Sequence, residues 1–167
     1  ARVSLREIVI RPQLPAAALP AKVLQQPNVS LALANELIGA ALAACHADGR
    51  SAVAVVVDRG GNLVAVQRGD SVGPHNTEAA VRKAFTALST KSPTRQLAAN
   101  ARSNPDSQNL NAVGSLLLGG GGVPLKVGQD VIGAIAVGGA GGASNDEACA
   151  LQAIAQVLPS AAPAPAN

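Results

Sequence analysis

The sequence predicts a single α/β (α+β) domain in which helices pack on one antiparallel five-stranded sheet. Its 167 residues, 48% of them hydrophobic, suit one domain with a sizeable core. Several strand-length apolar runs are separated by the short turn clusters that are typical of hairpins. Helical patterns lie between these runs without a regular β–α–β repeat, which favours an antiparallel sheet over a parallel one.

The first part of the domain is predicted to be a helix followed by a hairpin. Ser30 is a good N-cap, apolar residues follow it at helical spacing, and Gly49 ends the helix. Residues 52–57 form a β-branched run that is typical of a buried strand. A turn rich in glycine separates this run from residues 63–68, which are expected to return as the second strand.

A second helix is predicted to start at Asn76 or Thr77, either of which can cap it, and to run to about Thr90. Glu78 lies in its first turn, where a carboxylate favours the helix dipole. Glu78 is also spaced to pair with Arg82 one turn later.

The second half of the domain is predicted to hold a short helix, three strands and a closing helix. Pro93 breaks the preceding helix, and a proline-containing turn follows the short helix. The short helix is expected at residues 94–101, the strands at 114–118, 123–127 and 131–137, and the last helix at about 145–158.

Proline-rich arms are expected to flank the domain. Seven of the 11 prolines lie outside residues 29–158, so we expect an N-terminal arm at 1–29, a domain at 30–158 and a tail at 159–167. Arms of this kind are expected to pack on the domain or on a neighbouring subunit. Together with the absence of methionine, they favour an exported, periplasmic or secreted protein that has lost a signal peptide, with a cytoplasmic location as the alternative.

The two cysteines are open to more than one reading. Cys45 and Cys149 are able to form one disulfide in an oxidising compartment. They are too few for a disulfide framework, and their spacing is not that of a metal motif.

The composition excludes several function classes. Phe85 is the only aromatic residue, so the chain lacks the stacking platforms of proteins that bind single-stranded nucleic acid. No apolar run approaches the roughly 18–20 residues of a membrane span. Five cations and no acid lie between residues 79 and 105, which points to a small anionic ligand; the alternative is a solvated basic helix face.

Two glycine-rich segments are candidate anion sites. Residues 119–122 lack the lysine that follows the glycines of a phosphate-binding loop. Residues 137–143 follow a strand and precede a helix, so their amides could hold an anion, or their glycines could simply allow close packing. No acid follows Glu147, which argues against dinucleotide binding.

The two histidines are the candidates for metal or acid–base chemistry. His75 lies beside residues 79–105, which we call the basic segment. A neutral imidazole at this position is suited to ligate haem iron or to act as a base. His46, near the end of the first helix, is also suited to interact with the helix C-terminus. A lone histidine is more often structural or exposed than a ligand, and that is the alternative for each.

Seen together, the motifs of residues 30–158 resemble the GlcG/HbpS-like family. The matching segments, in order, are VVVD at 55–58, GNL at 61–63, Arg68, EAAVRKAFTA at 78–87, SPT at 92–94, GG at 119–120, VP at 123–124, the run 133–138 and NDEACA at 145–150. The resemblance implies a profilin-like domain that assembles into homo-oligomers, often octamers. It also implies haem as a cofactor, because members include a secreted haem-binding protein and the haem-binding domain of PduO-type proteins.

The resemblance places expected roles on particular residues. Thr94 matches a threonine that is tied to haem binding in the secreted member. The C-terminal haem-linked histidine of that member has no counterpart, because no histidine follows His75. His46 lies near the region that supplies the iron ligand in the PduO-type domain. Arg68, Lys83 and Arg95 are suited to pair with haem propionates or with another carboxylate.

The leading hypothesis is an exported, homo-oligomeric haem-binding protein that senses or stores haem, with His75 or His46 as the iron ligand. The first alternative is a cofactor-independent lyase or isomerase that acts on a small carboxylate through Lys83, Glu78 and His75. The second alternative is a structural or partner-binding oligomeric module without an enzymatic role.

Overall fold

The computed structural model describes residues 18–159. The elements, in chain order, are α1 (Leu31–Ala47), β1 (Val53–Asp58), β2 (Leu63–Arg68), α2 (His75–Thr90), α3 (Thr94–Ser103), α4 (Pro105–Gln108), a short 3₁₀ helix (Asn109–Ala112), β3 (Gly122–Val127), β4 (Asp130–Gly138) and α5 (Ala143–Val157). Within the described residues, no helix is both long and apolar enough to cross a membrane.

The sheet is antiparallel, as predicted, but in the described residues it has four strands in the order β2-β1-β4-β3 rather than five. The predicted strand at 114–118 is wrong. Side chains of α2 take the backbone groups that a neighbouring strand would otherwise pair. Arg82 Nη2 donates to the carbonyls of Gly114 and Leu116, both at 2.8 Å, and Thr86 Oγ1 accepts from the amide of Leu117 at 2.9 Å.

Two details predicted for α2 differ in the structure. Arg82 is committed to the 114–116 carbonyls, and the ion pairs found among residues 18–159 do not include a Glu78–Arg82 pair. The helix begins at His75 with Pro74 at the N-cap position and no side-chain cap. Asn76, one of the expected caps, instead donates its side-chain amide to the Gly73 carbonyl.

Helices cover both faces of the sheet. Alternate residues of β1 point to opposite faces. Val53, Val55 and Val57 pack with α2 on one face. Ala54 and Val56 belong to the core on the other face, which is formed with α1 and α5. The residues of α2 buried against the sheet include three fully buried alanines, Ala80, Ala84 and Ala87.

A disulfide joins the two helices on the second face. Cys45 in α1 and Cys149 in α5 are bonded, with Cα atoms 5.5 Å apart, and both residues are buried. The bond closes a loop of 104 residues. A cross-link over a loop of this size is expected to stabilise the fold by about 2–5 kcal/mol, mainly by lowering the entropy of the unfolded chain.

The described end of the N-terminal arm lies against one end of the sheet. The amide of Val29 donates to the Ile132 carbonyl at 3.0 Å, and Arg59 donates to the Pro27 carbonyl and to the Asn28 side chain. The remaining parts of the two predicted arms, residues 1–17 and 160–167, lie outside the described residues.

Candidate functional site

A buried ammonium group lies where α2, α5, β4 and the glycine-rich segment 119–122 meet. Lys83 is 4% exposed, and its Nζ donates to Val137 O at 2.6 Å, to Gly120 O at 2.9 Å and to Asp146 Oδ2 at 3.2 Å. An ammonium group has three protons to donate, so each has an acceptor. The other carboxylate oxygen of Asp146 accepts from the Ala140 amide at 2.8 Å.

The electrostatics of this pair follow from its burial. Loss of solvent lowers the pKa of Lys83, and the attraction and hydrogen bond of Asp146 oppose that change without cancelling it. A buried pair with satisfied hydrogen bonds is costly to break, because removing one partner leaves the other charge buried alone. The pair therefore fixes the glycine-rich segment between helix and sheet.

Glycine is required in that segment because the backbone passes so close to Lys83. Gly121 has a φ of +129°, and a Cβ there would lie 2.6 Å from Lys83 Nζ. A Cβ at Gly122 would collide with the Lys83 carbonyl oxygen. The tight approach lets the Lys83 amine reach two carbonyls at once.

Thr94 holds the same segment from the other side. It is fully buried in the first turn of α3, and its hydroxyl accepts from the Gly122 amide at 2.9 Å and lies 3.4 Å from the Gly122 carbonyl. Thr94, which was predicted to contact haem, therefore lies inside the domain, and its hydroxyl is hydrogen-bonded to the backbone of Gly122.

A cavity of about 590 Å³ opens at the C-terminal end of α1, and we call it the His46 cavity. Its volume is within the range of about 300–1,000 Å³ that is usual for small-molecule sites. Arg50 Nη1 donates to the Ala140 carbonyl at 2.8 Å, and Ser51 Oγ donates to the Asp70 carbonyl at 2.7 Å. The lining residues are Leu42, Ala43, His46, Gly49, Arg50, Ser51, Ala52, Gly69 and Asp70.

A second depression, of about 470 Å³, lies between α3 and α5, and we call it the α3–α5 groove. Its only ion pair among the described residues joins Arg95 Nη1 to Glu147 Oε1 at 3.5 Å. The lining residues are Pro93, Arg95, Gln96, Ala99, Arg102, Glu147 and Leu151.

The predicted site residues are therefore distributed over several places. His46 and Arg95 line different cavities. Arg68 is exposed on β2 and donates to the Val72 carbonyl at 2.7 Å, and His75 is exposed at the start of α2. Neither lines the His46 cavity or the α3–α5 groove.

The three residues of the lyase alternative do not converge. Lys83 points into the interior and has its three protons bound, whereas His75 and Glu78 are exposed on the first turn of α2. This arrangement leaves the Lys83 amine no free proton to offer to a substrate.

Two residues that matter here were not predicted from the sequence. Asp146 is the partner of Lys83, and it accepts from the Ala140 amide, which lies in the glycine-rich segment expected to hold an anion. A buried lysine needs such a partner, but only the fold shows that Lys83 is buried. Arg50, directly after the glycine that ends α1, was overlooked, and only the fold shows that it lines a cavity.

Comparison with known proteins identifies the relatives of this chain. A family model described as "Haem degrading protein HbpS-like" matches residues 29–155. A double mutant of HbpS from Streptomyces reticuli is 33% identical with a TM-score of 0.78, and the match covers 86% of this chain and 97% of that one. No curated protein matches the chain.

Two other solved structures are also similar. The Klebsiella pneumoniae protein ORFY is 28% identical with a TM-score of 0.74, over 82% of this chain and 95% of that chain. The PduOC haem complex is 24% identical with a TM-score of 0.70, over 78% of this chain and 96% of that chain, and it supports the fold alone. Since the family model covers most of the domain, the chain belongs to the HbpS-like family.

Proposed function

We propose that this chain binds haem in the His46 cavity, with His46 as a ligand to the iron and Arg50 as the partner of a propionate. The observation that carries the proposal is that His46 and Arg50 line one cavity of about 590 Å³. The family description, which names haem, supports the choice of ligand.

The residues of the cavity fit this cofactor by their chemistry. Histidine is the usual proximal ligand of haem in several protein classes. Leu42, Ala43 and Ala52 supply apolar wall for the macrocycle. Arg50 uses one nitrogen on the Ala140 carbonyl, so its other N–H groups are left to bind a carboxylate. Bound haem supplies one-electron redox chemistry that the side chains do not have.

The backbone around His46 is held by several contacts. Cys45, the residue directly before His46, is joined to α5 by its disulfide with Cys149. The amide of Gly49 donates to the His46 carbonyl at 2.9 Å, and the amide of Arg50 donates to the Cys45 carbonyl at 3.0 Å. Such anchoring lowers the entropy that is lost when a ligand binds.

The proposal extends to export, assembly and role. The Cys45–Cys149 disulfide supports a periplasmic or secreted location, since disulfides persist in oxidising compartments. Edge strand β2 exposes Leu63 (51%) and Val66 (41%), which supports contact with further copies of the chain. In this proposal the protein is an exported homo-oligomer, an octamer by its family resemblance, that senses or stores haem.

Titration of hemin into the purified protein, followed by the Soret band, tests the proposal. We expect saturable binding that is lost, or weakened at least tenfold, in His46→Ala. The matched control is His75→Ala, which removes the other histidine of the chain and is expected to leave the titration unchanged. An unchanged Soret spectrum in the wild-type protein, or equal binding by His46→Ala, would refute the proposal.

A further inference from the structure

We propose that the α3–α5 groove is a second ligand site, separate from the His46 cavity, and that it binds aliphatic dicarboxylates. The fold divides the cations of the basic segment between the interior and the surface. Arg82 and Lys83 are turned inward and bind backbone carbonyls, whereas Arg95 and Arg102 of α3 are exposed and line the groove. The folded protein thus presents part of the basic segment on one side of α3.

The two guanidinium groups are spaced along one face of the helix. Residues seven apart share a helix face. Arg95 and Arg102 meet that condition, and Ala99 lies between them on the groove. With a rise of 1.5 Å per residue, their Cα atoms are about 10 Å apart along the axis. This spacing suits a ligand with an acidic group at each end.

Both cations have donors left for a ligand. The ion pairs among residues 18–159 do not include Arg102. Arg95 has a side chain that is 55% exposed, and its 3.5 Å distance to Glu147 exceeds the roughly 2.7–2.9 Å of a strong charge-assisted hydrogen bond. Arg95 therefore keeps N–H donors that a ligand carboxylate is able to accept from.

The floor between the two cations is apolar. Ala99 and Leu151, which is 47% exposed, lie on the groove, and methylene groups of a ligand would cover them. A compact anion such as phosphate would leave this floor uncovered, and a monocarboxylate would use only one of the two cations. No histidine or cysteine lines the groove, so it offers haem iron no imidazole or thiolate.

The test is calorimetric titration of the full chain with suberate, compared with octanoate and inorganic phosphate. We expect saturable binding of suberate that is at least tenfold tighter than binding of either comparison compound. Arg95→Gln and Arg102→Gln are each expected to weaken suberate binding at least tenfold. Lys126→Gln is the matched control, because Lys126 is exposed on β3 away from the groove, and it is expected to bind like the wild type.

Several results would overturn the inference. These are the absence of saturable suberate binding, equal affinity for phosphate, and equal affinity in Arg102→Gln. Displacement of suberate by hemin would also overturn it, because the groove would then not be a separate site. His46→Ala is expected to retain suberate binding, so failure of the haem proposal and failure of this one are distinguishable.

Discussion

The two faces of the sheet are held together in different ways. On the face covered by α2, charged and hydroxyl side chains such as Lys83, Arg82 and Thr86 reach from the helix to backbone groups of residues 114–122 and of β4. On the other face, α1 and α5 bury alanine, leucine and isoleucine, and a disulfide joins them. Both faces bury apolar side chains; the α2 face adds hydrogen bonds from polar side chains to the backbone, and the other face adds a covalent bond.

The difference shows how a chain with one aromatic residue makes a well-defined interior. Small side chains allow close packing but bury little apolar area per residue. Other interactions must therefore fix the relative positions of the helices and strands. On the α2 face it comes from hydrogen bonds to a segment without regular structure. The α1–α5 face also carries His46 and thereby the proposed haem cavity.

The largest effect is expected from breaking the buried ion pair of the α2 face. Lys83→Met leaves the Asp146 carboxylate buried without its cation and is expected to lower the free energy of unfolding by about 3–5 kcal/mol. Denaturant titration measures the loss. Adding Asp146→Asn removes the unpaired charge while keeping an oxygen for the Ala140 amide, so the double variant should be more stable than Lys83→Met alone. Equal or lower stability of the double variant would contradict this account.

On the other face, the matching change removes the disulfide. The double variant Cys45→Ala, Cys149→Ala is expected to lose about 2–5 kcal/mol, because the unfolded chain regains the freedom of the closed loop. Denaturant titration of the variant and the wild type under non-oxidising conditions measures this loss of stability. The wild type treated with a thiol reductant serves as the control and should approach the stability of the variant. If removal of the disulfide changed nothing, apolar packing alone would hold α1 on α5.

Thr94→Val tests the polar face at a single hydrogen bond. The substitution keeps the shape of the side chain but removes the hydroxyl that accepts from the buried Gly122 amide. An unsatisfied buried amide costs about 1–3 kcal/mol, and thermal unfolding should show a loss of that size. Thr94→Ser retains the hydroxyl and is the control. If Thr94 instead acts directly on haem, Thr94→Val will weaken hemin binding without lowering stability.

The sequence predicted the regular parts of the fold well, because their signals are local. The β-branched run at 52–57 and the apolar run at 131–137 match β1 and β4 closely. The run at 114–118 has the same local character but is not a strand, since Arg82 and Thr86, which lie 31 to 34 residues away, hold its backbone. Tertiary contacts decided its conformation, and no periodicity in the segment indicates them.

The candidate sites were harder to predict for the same reason. Both histidines were candidates from the sequence and both are exposed, but only the fold shows that His46 lines a cavity with Gly69 and Asp70 whereas His75 does not. The basic segment was recognised, but its division into inward and outward cations depends on how α2 and α3 pack. Lys83 and Asp146 are 63 residues apart, so their pairing is visible only in three dimensions.

The smallest effect is expected from a change of pH, which acts on the α2 face through the buried amine of Lys83. Burial lowers the pKa of Lys83 in the folded protein, so at alkaline pH the folded chain releases this proton before the unfolded chain does. Between the folded pKa and the ordinary value of 10.5, the unfolded state binds more protons at this group. The contribution of Lys83 to the free energy of unfolding therefore rises with pH in that window, by at most about 1.4 kcal/mol per pH unit.

Denaturant titrations across the alkaline range should show this rise as a difference in slope between the wild type and Lys83→Met, since exposed lysines contribute equally to both. The disulfide variant keeps Lys83 and should retain the slope of the wild type. Identical slopes for the wild type and Lys83→Met would mean that attraction to Asp146 fully offsets the loss of solvent at the amine.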